Sequence, residues 1–344
     1  MQTIQIADGC SQVTSGATPS RKKPEYFIGD IPWLKTKELN DALIGATEEH
    51  ISESALAETS CKLIPAGAVV MAMYGATVGK LGILGTPMTT NQACCAMIAD
   101  EVSLHSQYLF YWLLQNRQSV INLSNGAAQQ NLSVRSIKNI ALKIPMLEKQ
   151  IRTAYVLKSL DDKIAANQTS ISKIDEILRA LWQKELSLSN IDVPLSSLAS
   201  FINGKAFTKG ASGTGRVVVR IAEMNSGIGG KTVFSDFDAD PDNEVNPGDL
   251  LFSWSGTLIT KRWPYDQAIV NQHIFKVVPN GQLDLWALRQ AIDAQLEYFQ
   301  MIAAGKATTM GHIKRGDLDQ EVEVPAQMSE ETNQLGNSLW RLAT

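Results

Sequence analysis

One pattern occurs twice in the chain, 180 residues apart. Pro65-Ala66-Gly67 opens an apolar run that ends at Gly75, and Pro247-Gly248-Asp249 opens another that ends at Gly256. Asn91-Gln92 recurs as Asn271-Gln272, and Ile144-Pro145 recurs as Val324-Pro325, with 54 residues from Asn to Pro each time. Segments 31–40 and 216–225 share the ending Glu-apolar-Asn at an offset of 185, which sets Lys35 and Arg220 at equivalent positions. A period this long is far beyond the repeat length of solenoids and propellers and matches a whole domain. A duplicated domain predicts two related binding events in one molecule.

At 344 residues there is material for two domains with cores of their own. An apolar content of 44% with 19% charged residues describes an ordinary globular protein. No apolar run is long enough for a membrane span and no export signal follows Met1, so a cytoplasmic location is expected. Cys10, Cys61, Cys94 and Cys95 do not recur between the repeats, which argues for reduced thiols over a disulfide framework. The net charge of −4 does not favour a polyanionic partner. Local fields decide such binding, however, and the basic residues cluster early in each repeat while the acids gather elsewhere.

Short β-rich runs such as 68–74 and 250–254, with helical stretches at 107–123 and 283–303, read as α+β domains without βαβ alternation. The predicted boundaries are a first domain at 1–145, a connector helix at 146–190, a second domain at 191–326 and a short helical stub at 327–344. Along the connector, Leu157, Leu160, Ile164, Asn167, Ile171, Ile174, Leu178 and Leu181 alternate steps of three and four, an unbroken heptad seam. So narrow a seam needs a partner helix, and Asn167 within it would specify register. Leu335, Leu339 and Leu342 supply a short matching stripe, interrupted by Gly336, expected to cover part of it.

Motifs of catalysis fail on inspection. Gly79-Lys80 and Gly230-Lys231-Thr232 lack the first glycine of a phosphate-binding loop, whose positions are held by Tyr74 and Asn225. Asp236, Asp238, Asp240 and Asp242 alternate as in a calcium loop, but Pro241 and Pro247 stand where glycine and glutamate are required. His50, His105, His273 and His312 are scattered, without zinc spacing. No catalytic role and no cofactor in this chain are expected.

The order Gly29-Asp30-Ile31-Pro32-Trp33-Leu34, Gly75-Ala76-Thr77-Val78-Gly79, Asn91-Gln92, Asn131-Leu132-Ser133, then Ile144-Pro145 with Gln150 and a long helix, resembles the specificity subunits of type I restriction-modification systems. The second repeat follows with 253–257, Asn271-Gln272, 305–313 and Val324-Pro325. The resemblance implies two target-recognition domains, each reading one half of a split duplex DNA sequence. It implies a helical spacer that docks methyltransferase subunits carrying S-adenosylmethionine, while separate restriction subunits use ATP. Family members usually have a second helix about as long as the first. This sequence stops well short of that, so a second copy or a methyltransferase subunit is expected over the rest of the seam.

Basic side chains could hold phosphates while polar and aromatic ones meet base edges. The expected contacts are Ser20, Arg21, Lys22, Lys35, Lys37, Tyr74, Thr77 and Lys80 in the first domain. In the second they are Lys205, Lys209, Arg220, Ser253, Trp254, Ser255, Thr257, Lys261 and Arg262. The competing reading is a coiled-coil scaffold whose duplicated domains bind proteins. Salt-sensitive binding to duplex DNA separates the two.

Overall fold

The computed structural model describes residues 1–123, 131–305 and 311–344. The chain divides into two compact units, Met1–Ala165 and Ala166–Thr344. In the first, a five-stranded sheet runs in the spatial order Cys10–Ser15, Cys94–Ala99, Val69–Ala72, Leu81–Leu84, Ala42–Ile44. Its middle strand is buried on both faces. Val69 and Met71 point into one apolar cluster, Val70 and Ala72 into another, as the period of two requires. The adjacent Cys94 and Cys95 fall on opposite faces for the same reason, and burial pushes the Cys95 thiol up to about 12. A three-stranded sheet sets Ile31–Leu34 between Glu49–Ile51, antiparallel, and Thr89–Thr90, parallel. Gln2–Gln5 pairs with Ala141–Ile144 to close the unit.

The second unit repeats this plan. Ala199–Asn203, Ile274–Pro279, Leu250–Ser253 and Thr260–Arg262 form one sheet in that order. Leu250 and Phe252 face one cluster and Leu251 another. Arg216–Val219 runs parallel to Ala268–Val270, as Ile31–Leu34 runs to Thr89–Thr90. Asn190–Pro194 with Glu321–Pro325 repeats the closing ladder. The expected duplication of one α+β fold is therefore present in the shared strands, although the larger sheet has five strands in the first unit and four in the second, and the smaller sheet three and four. Each predicted domain helix is broken in two, at Asn116 between Ser106–Gln115 and Arg117–Ile121, and at Gln295 between Leu285–Ala294 and Leu296–Gly305. Asn116 ends its helix by donating Nδ2 to the Trp112 carbonyl at 2.8 Å. Residues 306–310 of the 305–313 motif lie outside the described residues.

The connector is one helix, Leu147–Leu188, 42 residues and about 60 Å long. Its seam changes character along its length. Leu157 is half-buried and Leu160, Ile164, Asn167 and Ile171 are exposed, whereas Ile174 and Leu178 are buried in the second unit's core with Leu181 against it. Trp182, outside the strict seam, is buried there too. The C-terminal helix Glu330–Leu342 belongs to the same core.

The expected Leu335, Leu339, Leu342 stripe needs correction. Leu335 and Leu342 are exposed, and the buried face is Thr332, Gly336 and Trp340, with Leu339 at its margin. Gly336 lies so close to the Trp286 ring that a Cβ would overlap it. The glycine is thus the contact point of the packing and not an interruption. No helix among the described residues is long and apolar enough to cross a membrane.

Candidate nucleic-acid interface

Motifs that are far apart in the first repeat meet at one place. After its strand, Met73 donates its backbone N–H to Ala93 O at 2.8 Å and accepts from Leu132 N at 2.7 Å. Asn91 donates from its backbone to Leu34 O at 2.9 Å, and its Oδ1 accepts from Ala93 N at 3.1 Å. Ala17 N reaches Thr90 O at 2.9 Å, while Trp33 Nε1 donates to Ala17 O at 3.0 Å. The Thr18 hydroxyl donates to the Gln92 side-chain carbonyl. Four segments, 16–23, 73–80, 91–93 and 131–133, are thereby tied together. Ser133 then caps the helix Val134–Lys138, accepting Ser136 N at 3.0 Å.

The second repeat makes the same backbone bonds. Trp254 N donates to His273 O and Ile313 N to Trp254 O, each at 3.0 Å. Asn271 N reaches Val219 O at 3.0 Å, and Lys205 N reaches Val270 O at 3.3 Å. Both repeats need glycine at the entry, because a Cβ on Gly16 would overlap the Thr90 carbonyl and one on Gly204 the Asn271 carbonyl. Gly75 and Gly256 turn the loop after the central strand at φ 81° and 66°, a region open to glycine without strain.

The expected contact residues separate into groups. Lys35 lies 2.6 Å from Glu49 and 3.2 Å from Glu48, and the Glu49 hydrogen bond leads the causes that raise its pKa. Arg220, its repeat counterpart, grips the buried Glu223 with Nη2 at 2.7 Å and Nε at 3.0 Å. Glu223 also accepts the Arg220 backbone N–H at 3.1 Å, whereas the Lys35 backbone N–H goes to a third carboxylate, Glu38, at 2.8 Å. Both equivalent cations are bound to carboxylates, Arg220 to the one of its own turn and Lys35 to two on a neighbouring segment.

Arg21 lies 4.0 Å over the Phe27 ring and 2.7 Å from Glu49, Lys37 is 2.6 Å from Glu48, and Lys80 shares Asp41 with Arg117. Lys205 pairs with Asp240. Ser20, Lys22, Tyr74, Lys209 and Thr257 stand exposed at the converging loops, with Thr77 half-buried beside them.

Three expectations, Ser253, Arg262 and Ser255, do not survive as surface contacts. Ser253 is fully buried, its hydroxyl bridging its own loop at Ile259 and Thr257. Arg262 is buried as well, donating Nε to Ala343 O at 3.0 Å and stacking 4.6 Å from the Trp340 ring. Arg262 holds the C-terminal helix. Lys261 is partly buried next to it, and desolvation with the neighbouring Arg289 and Arg262 lowers its pKa.

Ser255 is buried, and Trp254 is partly so, with its Nε1 donating to Asn203 Oδ1 at 2.8 Å. Around Trp254 the structure gathers His273 at 4.9 Å, Phe275 at 6.0 Å and His312 at 6.3 Å between ring centroids. His273 and Asn203 were not singled out by the sequence, although His273 directly follows the Asn271-Gln272 motif. Among the described residues, Asn271 Oδ1 and His273 Nδ1 are shielded from solvent without a hydrogen-bond partner, and no cluster of His, Cys, Asp and Glu could hold a metal ion.

With this geometry established, the comparisons with known proteins are specific. Residues 1–176 match the type I restriction modification DNA specificity domain. Over 177 residues the chain is 30% identical to the MjaIX type I restriction enzyme specificity subunit of Methanocaldococcus jannaschii, covering 50% of this chain and 40% of that one. Over 152 residues it is 27% identical to the EcoR124I/EcoR124II specificity subunit of Escherichia coli, covering 42% and 37%. The crystal structure of a type I restriction-modification S subunit from M. genitalium superposes with a TM-score of 0.60 at 12% identity, covering 99% of this chain and 88% of that one. That likeness concerns the fold. The chain belongs to the type I restriction modification DNA specificity domain family. The matched segments span about two fifths of the relatives' length.

Proposed function

We propose that this chain is the non-catalytic, DNA-reading subunit of a type I restriction-modification complex, each repeat reading one half of a bipartite duplex site. The observation that carries this reading is the convergence, in both repeats, of the same four loop segments on one backbone framework. In this reading exposed Lys22 and Lys209 would meet phosphates, and Tyr74, Thr77, Trp254 and Thr257 would meet bases or sugars. The carboxylate-bound Lys35 and Arg220 position loops in this account. The helix Leu147–Leu188 would fix the spacing of the half-sites, which duplex recognition requires in register with the helical turn. Its exposed stretch from Leu160 to Ile171 would receive a methyltransferase subunit. S-adenosylmethionine and ATP would belong to the methyltransferase and restriction partners.

Mapping DNA methylation in a host that carries the partner methyltransferase, with and without this gene, tests the proposal. A split motif that depends on the gene is the expected result. Methylation of an uninterrupted motif, or a pattern indifferent to the gene, would contradict it.

A further inference from the structure

The second repeat departs from the first at one turn, and the departure has a cost. In the first repeat Asn91 Oδ1 accepts the Ala93 N–H at 3.1 Å and closes the turn. In the second, Asn271 is 7% exposed and its Oδ1 is shielded without a hydrogen-bond partner. The residue in place of Ala93 is His273, held at φ 75°, a left-handed backbone that a side chain opposes. A lost turn bond and a strained residue persist only where the surrounding structure enforces them, and such positions gather at functional sites.

What the turn gains is a placed imidazole. His273 O accepts the Trp254 N–H and Trp254 O accepts the Ile313 N–H, each at 3.0 Å, so the segments carrying His273 and His312 flank that of the indole. The His273 ring meets the indole edge to face, with centroids 4.9 Å apart. His273 Nδ1 is shielded from solvent and has no partner. In the neutral ring a proton there would be an unsatisfied buried donor, so Nε2 carries the hydrogen. In the charged ring Nε2 carries one as well. The imidazole therefore offers a donor outward. Trp254 has the opposite character. Its N–H is committed to Asn203 Oδ1 at 2.8 Å, and the half-buried indole offers carbon alone.

We infer that this turn reads a thymine: His273 Nε2 donates to O4 while the Trp254 indole covers the C5-methyl group. The inference rests on the DNA-reading role proposed above and names a base that the second repeat demands. In the major groove, an acceptor beside an apolar group is the edge of thymine. Cytosine presents an N–H donor in place of O4 and would oppose the imidazole N–H. The purines present no methyl group for the indole to cover. The first repeat, with Ala93 in place of His273, lacks the donor.

The test uses the complex of this chain with its methyltransferase. Methylation mapping defines the wild-type motif, and His273→Asn and His273→Gly are the variants. Both residues accept the left-handed backbone, and the asparagine amide ends where Nδ1 lies, short of Nε2. A variant with an unchanged melting curve should relax one thymine–adenine pair in one half of the motif, its discrimination against cytosine falling about tenfold. The other half should stay as it was. Uracil, which lacks only the methyl group, is then placed at each thymine of the wild-type motif in turn, so that the contact is tested without any substitution in the protein. At the thymine read by His273 it should weaken binding of the wild-type complex about fourfold. An unchanged motif in a folded variant, relaxation at a pair other than thymine–adenine, or uracil bound as well as thymine throughout would overturn the inference and leave the DNA-reading role standing. A wild-type complex that methylates no split motif would remove that role, and this inference with it.

Discussion

Where the first repeat has Met73, Ala93 and Asn131, the second has Trp254, His273 and His312, held by the same backbone hydrogen bonds. Thr90 becomes Val270, yet both positions accept the bond from the entry segment, at Ala17 and Lys205. The frame is constant and the side chains carried at its converging loops are not. One site carries a thioether, a methyl group and a carboxamide; the other carries an indole near two imidazoles. Duplication has preserved what the fold needs, which is glycine at the entry, an asparagine at the turn and a carboxylate under each cationic turn. It has released the positions that a bound molecule would touch. Such a division suits two domains that do the same job on different sequences.

The shared turn gives the largest expected effect. Glu223 is buried beneath Arg220 and also accepts from Thr232, whereas Glu38 is partly exposed and is bonded by the Lys35 and Glu48 backbone. Removing a buried carboxylate leaves its partner unpaired, so Glu223→Ala should cost about 3 kcal/mol of unfolding free energy. Glu38→Ala loses exposed capping bonds and should cost about 1 kcal/mol. Chemical denaturation of the two variants checks the ordering. Equal losses would mean that the turns are not fastened as differently as their burial implies.

A smaller contrast lies at the helix starts. Gln150 holds the long helix through Ser103 O at 2.9 Å, Pro145 O at 3.0 Å and the His105 N–H at 3.1 Å, all without a charge. Glu185 does the equivalent work for the C-terminal helix as a carboxylate, and the Thr332 hydroxyl is the main reason that its pKa is lowered. A group whose pKa falls on folding stabilises above its unfolded value, near 4.3, and loses that contribution as pH drops through the folded value. Each alanine variant should cost about 2 kcal/mol near neutral pH. Only Glu185→Ala, however, should flatten the acid limb of the stability curve below about pH 4.3. A parallel acid limb in Glu185→Ala and wild type would remove Glu185 from this role.

Much of this was legible in the sequence, because duplication doubles every signal. The strands around Val69 and Leu250, the long helix and the equivalence of Lys35 and Arg220 follow from spacing alone. What escaped depends on contacts between distant segments. Glu49 reaches Lys35 because Trp33 pairs with Glu49 across two strands, a register that no local pattern reveals. The adjacent Lys261 and Arg262 read as one basic patch, but they alternate along a strand and Arg262 turns inward to the C-terminal helix. A heptad seam looks uniform over its length, although its second half is taken up by a core and its first half is not. Trp182, just off the seam, completes the buried face and breaks the ideal period.

The central claim is that each repeat reads its own half of a DNA site, and exchange of one repeat tests it most directly. Residues 191–326 would be replaced by the equivalent domain of a relative, and the sites chosen by the assembled methyltransferase complex compared with those of the wild type. One half of the recognised sequence should change while the other half stays as it was, because the loops of each repeat are built on a frame closed within its own unit. A swap that altered both halves, or left the site unchanged, would contradict independent reading by two domains.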